Sequence, residues 1–227
     1  SETIPYKKIL DNDIWLLSEH IYSKVYTIDD INYNMGDEVQ QNDMLENYCT
    51  FLNTLDDTVD CQISVWNSTI NIKDYESKIL VKRANDGYDD VRQEYNDKVL
   101  HENLSKGQNA IRKQIFITMT IKAPDNEVAQ RKFNTIDLET KNSFERIGNT
   151  NLRSLSNQER IELLKDVFVG ADVAIPKLTK EDIDKGLDKV YCAPDYFEFK
   201  SDYFMFGEFY AKCVFIKEYP STANDNI

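Results

Sequence analysis

The stretch QIFITMTIKA, residues 114–123, carries the clearest pattern in the sequence and decides the fold class. Apolar side chains stand at every second position, at Ile115, Ile117, Met119, Ile121 and Ala123. A period of two predicts a β-strand with one buried face. Because the strands of a doubly wound parallel sheet are apolar on both faces, this alternation favours a mostly antiparallel sheet.

The polar turn before this strand, Lys106-Gly107-Gln108-Asn109, has the composition of a phosphate-binding loop. A phosphate cradle runs from strand to loop to helix, because the positive end of the helix dipole faces the anion. Here a helical pattern runs into a strand, so the loop meets the negative helix end. No Lys follows any of the seven glycines, so the GxxxxGK[ST] motif is absent from this sequence. We interpret Gly107 as a helix stop.

Periodic patterns predict further elements on both sides of this strand. Before it we expect two strands, a helix, a strand and a helix: 14–17, 25–33, 36–55, 59–65 and 88–105. Residues 67–87 are polar and are expected to be irregular. After it we expect two helices, a loop excursion and two strands: 125–148, 156–168, 170–194, 197–199 and 205–219.

This order of elements predicts an α+β fold with a mostly antiparallel sheet and helices packed on one face. The unit β(58–66)-α(88–105)-β(112–123)-α(126–147) suggests ferredoxin-like elements. We expect one domain over residues 1–227, with 170–194 as a loop excursion.

Charge and cysteine usage restrict the classes of function. The formal net charge is −13, so we expect no direct nucleic-acid binding. No apolar run approaches the ~20 residues that span a bilayer, and a transmembrane segment is not expected. Cys49, Cys61 and Cys213 lie in apolar patterns and are expected to be buried free thiols, while Cys192 completes the set. Without a CxxC pair or a signal peptide, the cytoplasm is the expected location.

The motifs that carry chemistry are incomplete. His101-Glu102 begins like HExxH, but Ser105 stands where the second His would be, and His20 is expected to be exposed. Adjacent acids such as Asp56-Asp57 fall near turns and helix ends, where they complement the helix dipole. We therefore predict no catalytic, cofactor-binding or metal-binding residue in this chain. A hydrolase assembled from distant carboxylates is the enzymatic alternative.

Aromatic residues are concentrated near the end of the chain, between 196 and 210. One reading is core packing within strands. The other is an interface that buries Tyr and Phe against another domain or subunit. The residues proposed for that interface are Tyr203, Phe204, Phe206, Phe209 and Tyr210.

An ordered set of stretches extends over about residues 4–222: IPYKKIL (4–10), DINY (30–33), GYDDVRQEYNDKV (87–99), KGQN (106–109), FERIG (144–148) and DYFMFGEFYAKCVFIKEYPS (202–221). This set resembles the amino-terminal region of the VirB/TraE-type conjugation ATPases of type IV secretion systems from Gram-positive mobile elements. No single motif is specific, and the order of the stretches carries the resemblance.

The resemblance implies a non-catalytic amino-terminal domain of a larger ATPase that energises DNA transfer. Its expected partners are membrane-channel subunits and other copies of the ATPase, at the cytoplasmic face of the cell membrane. ATP and Mg are expected only in a carboxy-terminal domain outside this sequence. The alternative is a free-standing scaffold or adaptor protein of a mobile-element machine.

Overall fold

A computed structural model describes residues 4–29, 31, 33–69, 80–98, 111–147, 150–170 and 173–218. The central sheet consists of six antiparallel strands: β1 Lys8–Ile9, β2 Trp15–Ser18, β3 Ile21–Ile28, β4 Val59–Thr69, β5 Ile111–Lys122 and β6 Leu152–Ser154. Their order is β1-β2-β3-β5-β4, and β6 pairs with the second half of β3. The expected α+β class and antiparallel sheet are confirmed.

Six α-helices lie in the described part of the chain: α1 Glu38–Thr54, α2 Asp89–Asn96, α3 Asn126–Arg146, α4 Asn157–Phe168, α5 Lys180–Lys185 and α6 Asp188–Cys192. A second, three-stranded sheet follows them: β7 Phe197–Phe199, β8 Phe204–Phe206 and β9 Phe209–Ala211. The ends of α1, α3 and α4 follow the sequence closely, because Asp37, Asp125 and Ser156 cap their first turns as expected.

The ferredoxin-like part of the sheet uses different elements from the predicted unit. The order β3-α1-β4-β5-α3-β6 is the βαββαβ arrangement, with the strands side by side as β6-β3-β5-β4. The prediction made the 88–105 helix a crossover between β4 and β5. These two strands instead pair directly with each other over eleven residues, so α2 lies in their connection. The crossover helix is α1, and residues 99–105 and Gly107 lie outside the described residues.

One face of the sheet carries the main core. The alternating Ile117, Met119 and Ile121 of β5 pack with Phe133 of α3 and Phe51 of α1. All five side chains are buried, and the Phe51 and Phe144 rings meet edge to face at 4.9 Å. The strand that decided the fold class therefore supplies the centre of the core, as its alternation predicts.

The opposite face is covered by α4, so the expectation that helices pack on one face is wrong. Arg160 of α4 donates to the side chain and the carbonyl of Ser23 on β3. Leu163 packs with Val25 and Phe116, the side chains that alternate to this face. Phe116 of β5 and Val25 of β3 are apolar residues at positions that otherwise alternate to polar side chains. They give the second face an apolar patch on which α4 packs.

Residues 170–194 were predicted to be a loop, and this is wrong for 180–185 and 188–192. Thr179 and Asp182 form a capping box that begins α5, and Gly186 ends it with a φ of 72°. Cys192 and Ile161 are buried together in a cluster that joins α6 to α4. Packing against α4 stabilises helices that are too short to form alone.

Several boundaries and burial predictions also change. β3 begins at Ile21 and ends at Ile28 instead of spanning 25–33, and β4 continues to Thr69 into the stretch expected to be irregular. Residues 205–219 do not form one strand: β8 and β9 turn at Gly207, and Lys212–Ile216 follow without strand pairing. β1 and β6 were missed, because two or three residues show no measurable period.

The cysteines differ from the sequence-based expectation in their burial. Cys49 and Cys213 are exposed and Cys61 is half-buried, whereas Cys192 is fully buried. Cys49 lies on the side of α1 that faces solvent, whereas the buried Phe51 lies on the side that faces the core.

Candidate functional site

The β7–β9 sheet, called here the aromatic sheet, gathers most of the carboxy-terminal aromatic residues onto one face. Phe197 lies opposite Phe206, and Phe206 lies opposite Phe209. Phe199 likewise lies opposite Phe204. Because side chains alternate between the faces of a strand, all five phenylalanines project to the same side. Their neighbours Glu198, Met205 and Tyr210 form the other face.

One part of this phenylalanine face is anchored to the end of α4. The Phe168 ring meets the rings of Phe197 and Phe206 edge to face, each with a centroid distance of 5.9 Å. Gly170 lies against the Phe209 ring, where a Cβ would stand 3.1 Å from the ring edge, and its φ of 108° suits glycine. The chain therefore passes from α4 close under the sheet that it anchors.

The rest of the phenylalanine face is open. The Phe199 side chain is 73% exposed, Phe209 is also exposed, and Phe204 is half-buried. The following stretch Val214-Phe215-Ile216 adds a second exposed apolar segment, in which Phe215 is 85% exposed. The aromatic sheet thus presents a larger apolar surface than its anchor covers.

The structure brings the five predicted interface residues together in this sheet but divides them between its faces. Phe204, Phe206 and Phe209 belong to the phenylalanine face. Tyr203 and Tyr210 pack against each other on the other face, with ring centroids 5.6 Å apart. Phe206 lies within the anchor. Sequence reasoning omitted Phe199 and Phe215, although the alternation of Phe197 and Phe199 indicated that they share a face.

Charged side chains border the aromatic sheet. Glu198 forms an ion pair with Lys200, while Asp202 and Glu208 lie in the two turns beside the exposed rings. These turns place carboxylates at the rim of the apolar surface.

A cavity of about 890 Å³ lies elsewhere, between the 3₁₀ turn Asp11–Asp13 and the first turns of α3, α4 and α5. The Asp13 carboxylate accepts a hydrogen bond from the Asn157 N–H at 2.9 Å, and Asn12 donates to Gln130 at 2.8 Å. Asp125 caps α3 in the same region. Two of these contacts satisfy backbone amides of helix starts internally, that of Asn157 in α4 and that of Val128 in α3.

An ion pair between a buried lysine and a partly exposed aspartate joins the sheet to α3. Lys24 Nζ lies 2.7 Å from an Asp137 carboxylate oxygen, and the Tyr26 hydroxyl donates to the other oxygen at 2.6 Å. Burial, followed by the Asp137 charge, raises the pKa of Tyr26 well above its usual range. The cluster fixes the orientation of α3 on the sheet, because both donors lie on β3.

Two further buried polar groups hold α4 and α6 in place. The Arg160 guanidinium stacks on the Trp15 ring, with its Cζ atom 4.1 Å from the ring centroid. Burial lowers the pKa of Arg160 to about 9. The Tyr6 hydroxyl donates to Asp188 at 2.8 Å beside Cys192, whose pKa burial raises to about 11. A raised pKa leaves that thiol protonated and a poor nucleophile.

The remaining sequence candidates can be located in part. His20 is exposed at a turn, as predicted, with a left-handed φ of 61°. His101 and the Lys106-Gly107-Gln108-Asn109 turn lie outside the described residues. Asp56 and Asp57 lie at the exposed turn before β4, where a hydrogen bond between them lowers the pKa of Asp56 and raises that of Asp57.

Within the described ranges, no group of three or more His, Cys, Asp or Glu side chains is arranged to hold a metal ion. No helix in the same part of the chain is both long and apolar enough to cross a membrane. Neither a protein-family model nor a curated protein matches this chain. The fold and its exposed aromatic sheet therefore stand as the observations from which a function is inferred.

Proposed function

We propose that this chain is a non-catalytic interaction domain, and specifically the amino-terminal domain of a type IV secretion or conjugation ATPase. It acts at the cytoplasmic face of the membrane, where it holds the ATPase to the transfer channel and to neighbouring ATPase subunits. The observation that carries the proposal is the exposed phenylalanine face of the aromatic sheet. The ordered resemblance of residues 4–222 to that family supports the choice of machine.

The chemistry of the aromatic sheet is that of a docking surface. Aromatic side chains are enriched in the centres of protein interfaces, because they bury a large area at a small entropy cost. Phe199 on β7 and Phe209 on β9 offer two exposed rings on the outer strands of a paired sheet, with β8 between them. A partner would cover the face that Phe168 leaves open.

The proposed occupant of this surface is a channel subunit with an apolar patch bordered by basic residues. Asp202 and Glu208 lie at the border of the aromatic sheet, and the whole chain carries a net charge of −13. Complementary charge at the border would speed association, and burial of the rings would supply affinity. The ATPase activity itself belongs to the carboxy-terminal domain that the resemblance implies.

The test is a binding titration of the purified chain against each membrane-channel subunit encoded in the same mobile element. One subunit should bind, and Phe199→Lys should weaken that binding at least tenfold. Leu138→Lys is the matched control, because Leu138 is 66% exposed on α3, outside the aromatic sheet. The proposal fails if no channel subunit binds, or if Phe199→Lys and Leu138→Lys bind equally well.

Two further measurements test the non-catalytic assignment and the alternative. The chain alone should neither bind ATP tightly nor hydrolyse it, and turnover well above background would contradict the proposal. The reading frame beyond Ile227 distinguishes a domain from a free-standing scaffold. A Walker motif downstream supports the ATPase domain, and a stop codon favours the scaffold.

A further inference from the structure

Strand β4 is a long edge of the central sheet. Its eleven residues pair with β5 on one side, and in the described part of the chain no strand pairs with its other side. Every second residue of an antiparallel edge strand directs its N–H and C=O away from the sheet. Val59–Thr69 therefore presents a row of backbone donors and acceptors about 30 Å long.

The residues of β4 themselves lack several of the features that usually prevent strand addition. Proteins protect their edges with Lys, Pro, bulges or short strands. β4 contains no Lys or Pro, its register with β5 shows no bulge, and the strand is eleven residues long. Asp60 is its only charged residue. Ile63 and Val65, 44% and 58% exposed, lie near its middle on the same face.

We propose that β4 pairs antiparallel with β4 of a second copy, about a two-fold axis that passes beside Ser64. The occupant is a second copy because the strand is complementary to itself. In an antiparallel pair centred on Ser64, Ile63 faces Val65 of the other copy, and Val65 faces its Ile63. The four exposed β-branched side chains then form one patch, a favourable cross-strand combination.

The same register avoids unfavourable pairs. Asp60 faces Ser68 of the other copy, so the one charge of each strand does not meet its equivalent. Gln62 faces Trp66, a polar side chain opposite a ring. Because this register preserves the alternation of side chains, residues on one face of β4 lie beside residues of the same face of β4 in the other copy. The strand thus pairs with itself without placing like charges together.

Helix α1 widens the proposed contact. Tyr48 of α1 and Cys61 of β4 both pack against the main core, so the helix and this strand lie on the same side of the molecule's core face. Leu45 and Leu52 of α1 are exposed. A stable dimer buries about 1,000 Å² or more in total, and a strand pair flanked by leucine side chains is suited to reach that area.

The net charge predicts how this dimer responds to salt. Each copy carries −13, so two copies repel each other at low ionic strength. Added salt screens that repulsion while the backbone hydrogen bonds persist. The dissociation constant should therefore decrease when the NaCl concentration is raised from about 50 mM to about 500 mM. An association held by ion pairs would show the opposite response.

The first test is the mass of the purified chain in solution, measured by sedimentation over a wide concentration range. We expect a dimer that Val65→Lys weakens at least tenfold, because the lysine places a charge in the apolar patch. Leu138→Lys adds the same charge to an equally exposed site and should leave the dimer intact. A monomer at every concentration and salt level overturns the proposal, as does equal dimerisation of both variants.

The second test locates the axis. In a background where Cys49, Cys61 and Cys213 are replaced by Ser or Ala, Ser64→Cys should form a disulfide-linked dimer under mild oxidation. Gln62→Cys is the matched control on the same face. Its two copies would lie roughly 13 Å apart along the strands, too far to be bridged. Equal cross-linking at both positions, or only at Gln62, rules out the Ser64 axis.

This inference does not rest on the proposed function, because the two surfaces share no residue. Phe199→Lys should weaken binding of the channel subunit at least tenfold and leave the β4 dimer unchanged. If Phe199→Lys instead dissociates the dimer, self-association runs through the aromatic sheet and the β4 proposal is wrong. If Phe199→Lys loses binding of the channel subunit and the dimer stays intact, the two associations use separate surfaces.

Discussion

The central sheet and the aromatic sheet are both built from antiparallel strands with alternating apolar side chains, yet the central sheet buries the middle of that face, on β5, and the aromatic sheet leaves much of its own exposed. α1 and α3 cover Ile117, Met119 and Ile121, whereas the aromatic sheet packs on Phe168 and leaves Phe199 exposed. The alternation specifies that one face is apolar. Whether that face becomes core or surface depends on which element lies across it.

The largest expected effect comes from a pair of phenylalanine truncations, one in the core under the central sheet and one on the exposed face of the aromatic sheet. Phe133→Ala removes a fully buried ring between α3 and the central sheet and should lower the free energy of unfolding by about 3–5 kcal/mol. Phe199→Ala removes an exposed ring and should change it by less than about 0.5 kcal/mol. Urea denaturation followed by circular dichroism measures both. Similar losses in the two variants would remove the contrast between the sheets.

The polar contact under the central sheet gives the next effect. Asp137→Ala leaves Lys24, which is buried, and the Tyr26 hydroxyl without their acceptor and should cost about 1–3 kcal/mol. Replacing both ionic partners, with Lys24→Met and Asp137→Leu, should restore at least half of that loss. The same denaturation experiment compares the single and the double variant. A double variant no more stable than Asp137→Ala alone would contradict this account.

The anchor of the aromatic sheet gives a local effect. Phe168→Ala removes two edge-to-face contacts and should weaken the attachment of β7–β9 by about 1–3 kcal/mol. Hydrogen exchange should show at least tenfold faster exchange of the amides of residues 197–211, with those of β5 little changed. Phe199→Ala is the control, since its ring lies outside the anchor. Equal acceleration throughout β5 would mean that the two sheets unfold as one unit.

The smallest effect is a pH dependence in α4, the helix that lies between the two sheets. The hydrogen bond from Arg153 and the capping contacts with Ser156 lower the pKa of Glu159 to about 2, below its ordinary value near 4.5. A lowered pKa stabilises the folded state above about pH 4.5, and this stabilisation disappears as pH falls toward 2.

The stability difference between the native chain and Glu159→Gln should therefore be present at pH 6 and absent near pH 2. Because Glu159 is partly exposed, solvent screening limits the difference to about 1 kcal/mol or less. Glu139→Gln, an exposed carboxyl of α3, serves as the control in the same thermal unfolding series. A difference that grows toward low pH would have the wrong sign.

The sequence by itself determined the features that depend on neighbouring residues. The period of two in 114–123 predicted β5 and its buried face, and Asp125 and Ser156 predicted where α3 and α4 begin. The capping box of Thr179 was equally readable and shows that residues 170–194 could have been assigned a helix. Of the five aromatic residues proposed as an interface, Phe206, Phe209 and Tyr210 fall within the predicted strand 205–219 and lie in strands, whereas Phe204 lies in a strand that the prediction began one residue later.

Only the tertiary structure decided which elements meet. The direct pairing of β4 with β5 made α1 the crossover helix and left α2 in a connection, although the local pattern of both helices is similar. The placement of α4 on the second face, the exposure of Phe199 and the edge of β4 that no described strand pairs with likewise depend on contacts between distant residues. Local periodicity fixes the apolar side of an element, while the choice of its neighbour depends on the packing of the whole chain.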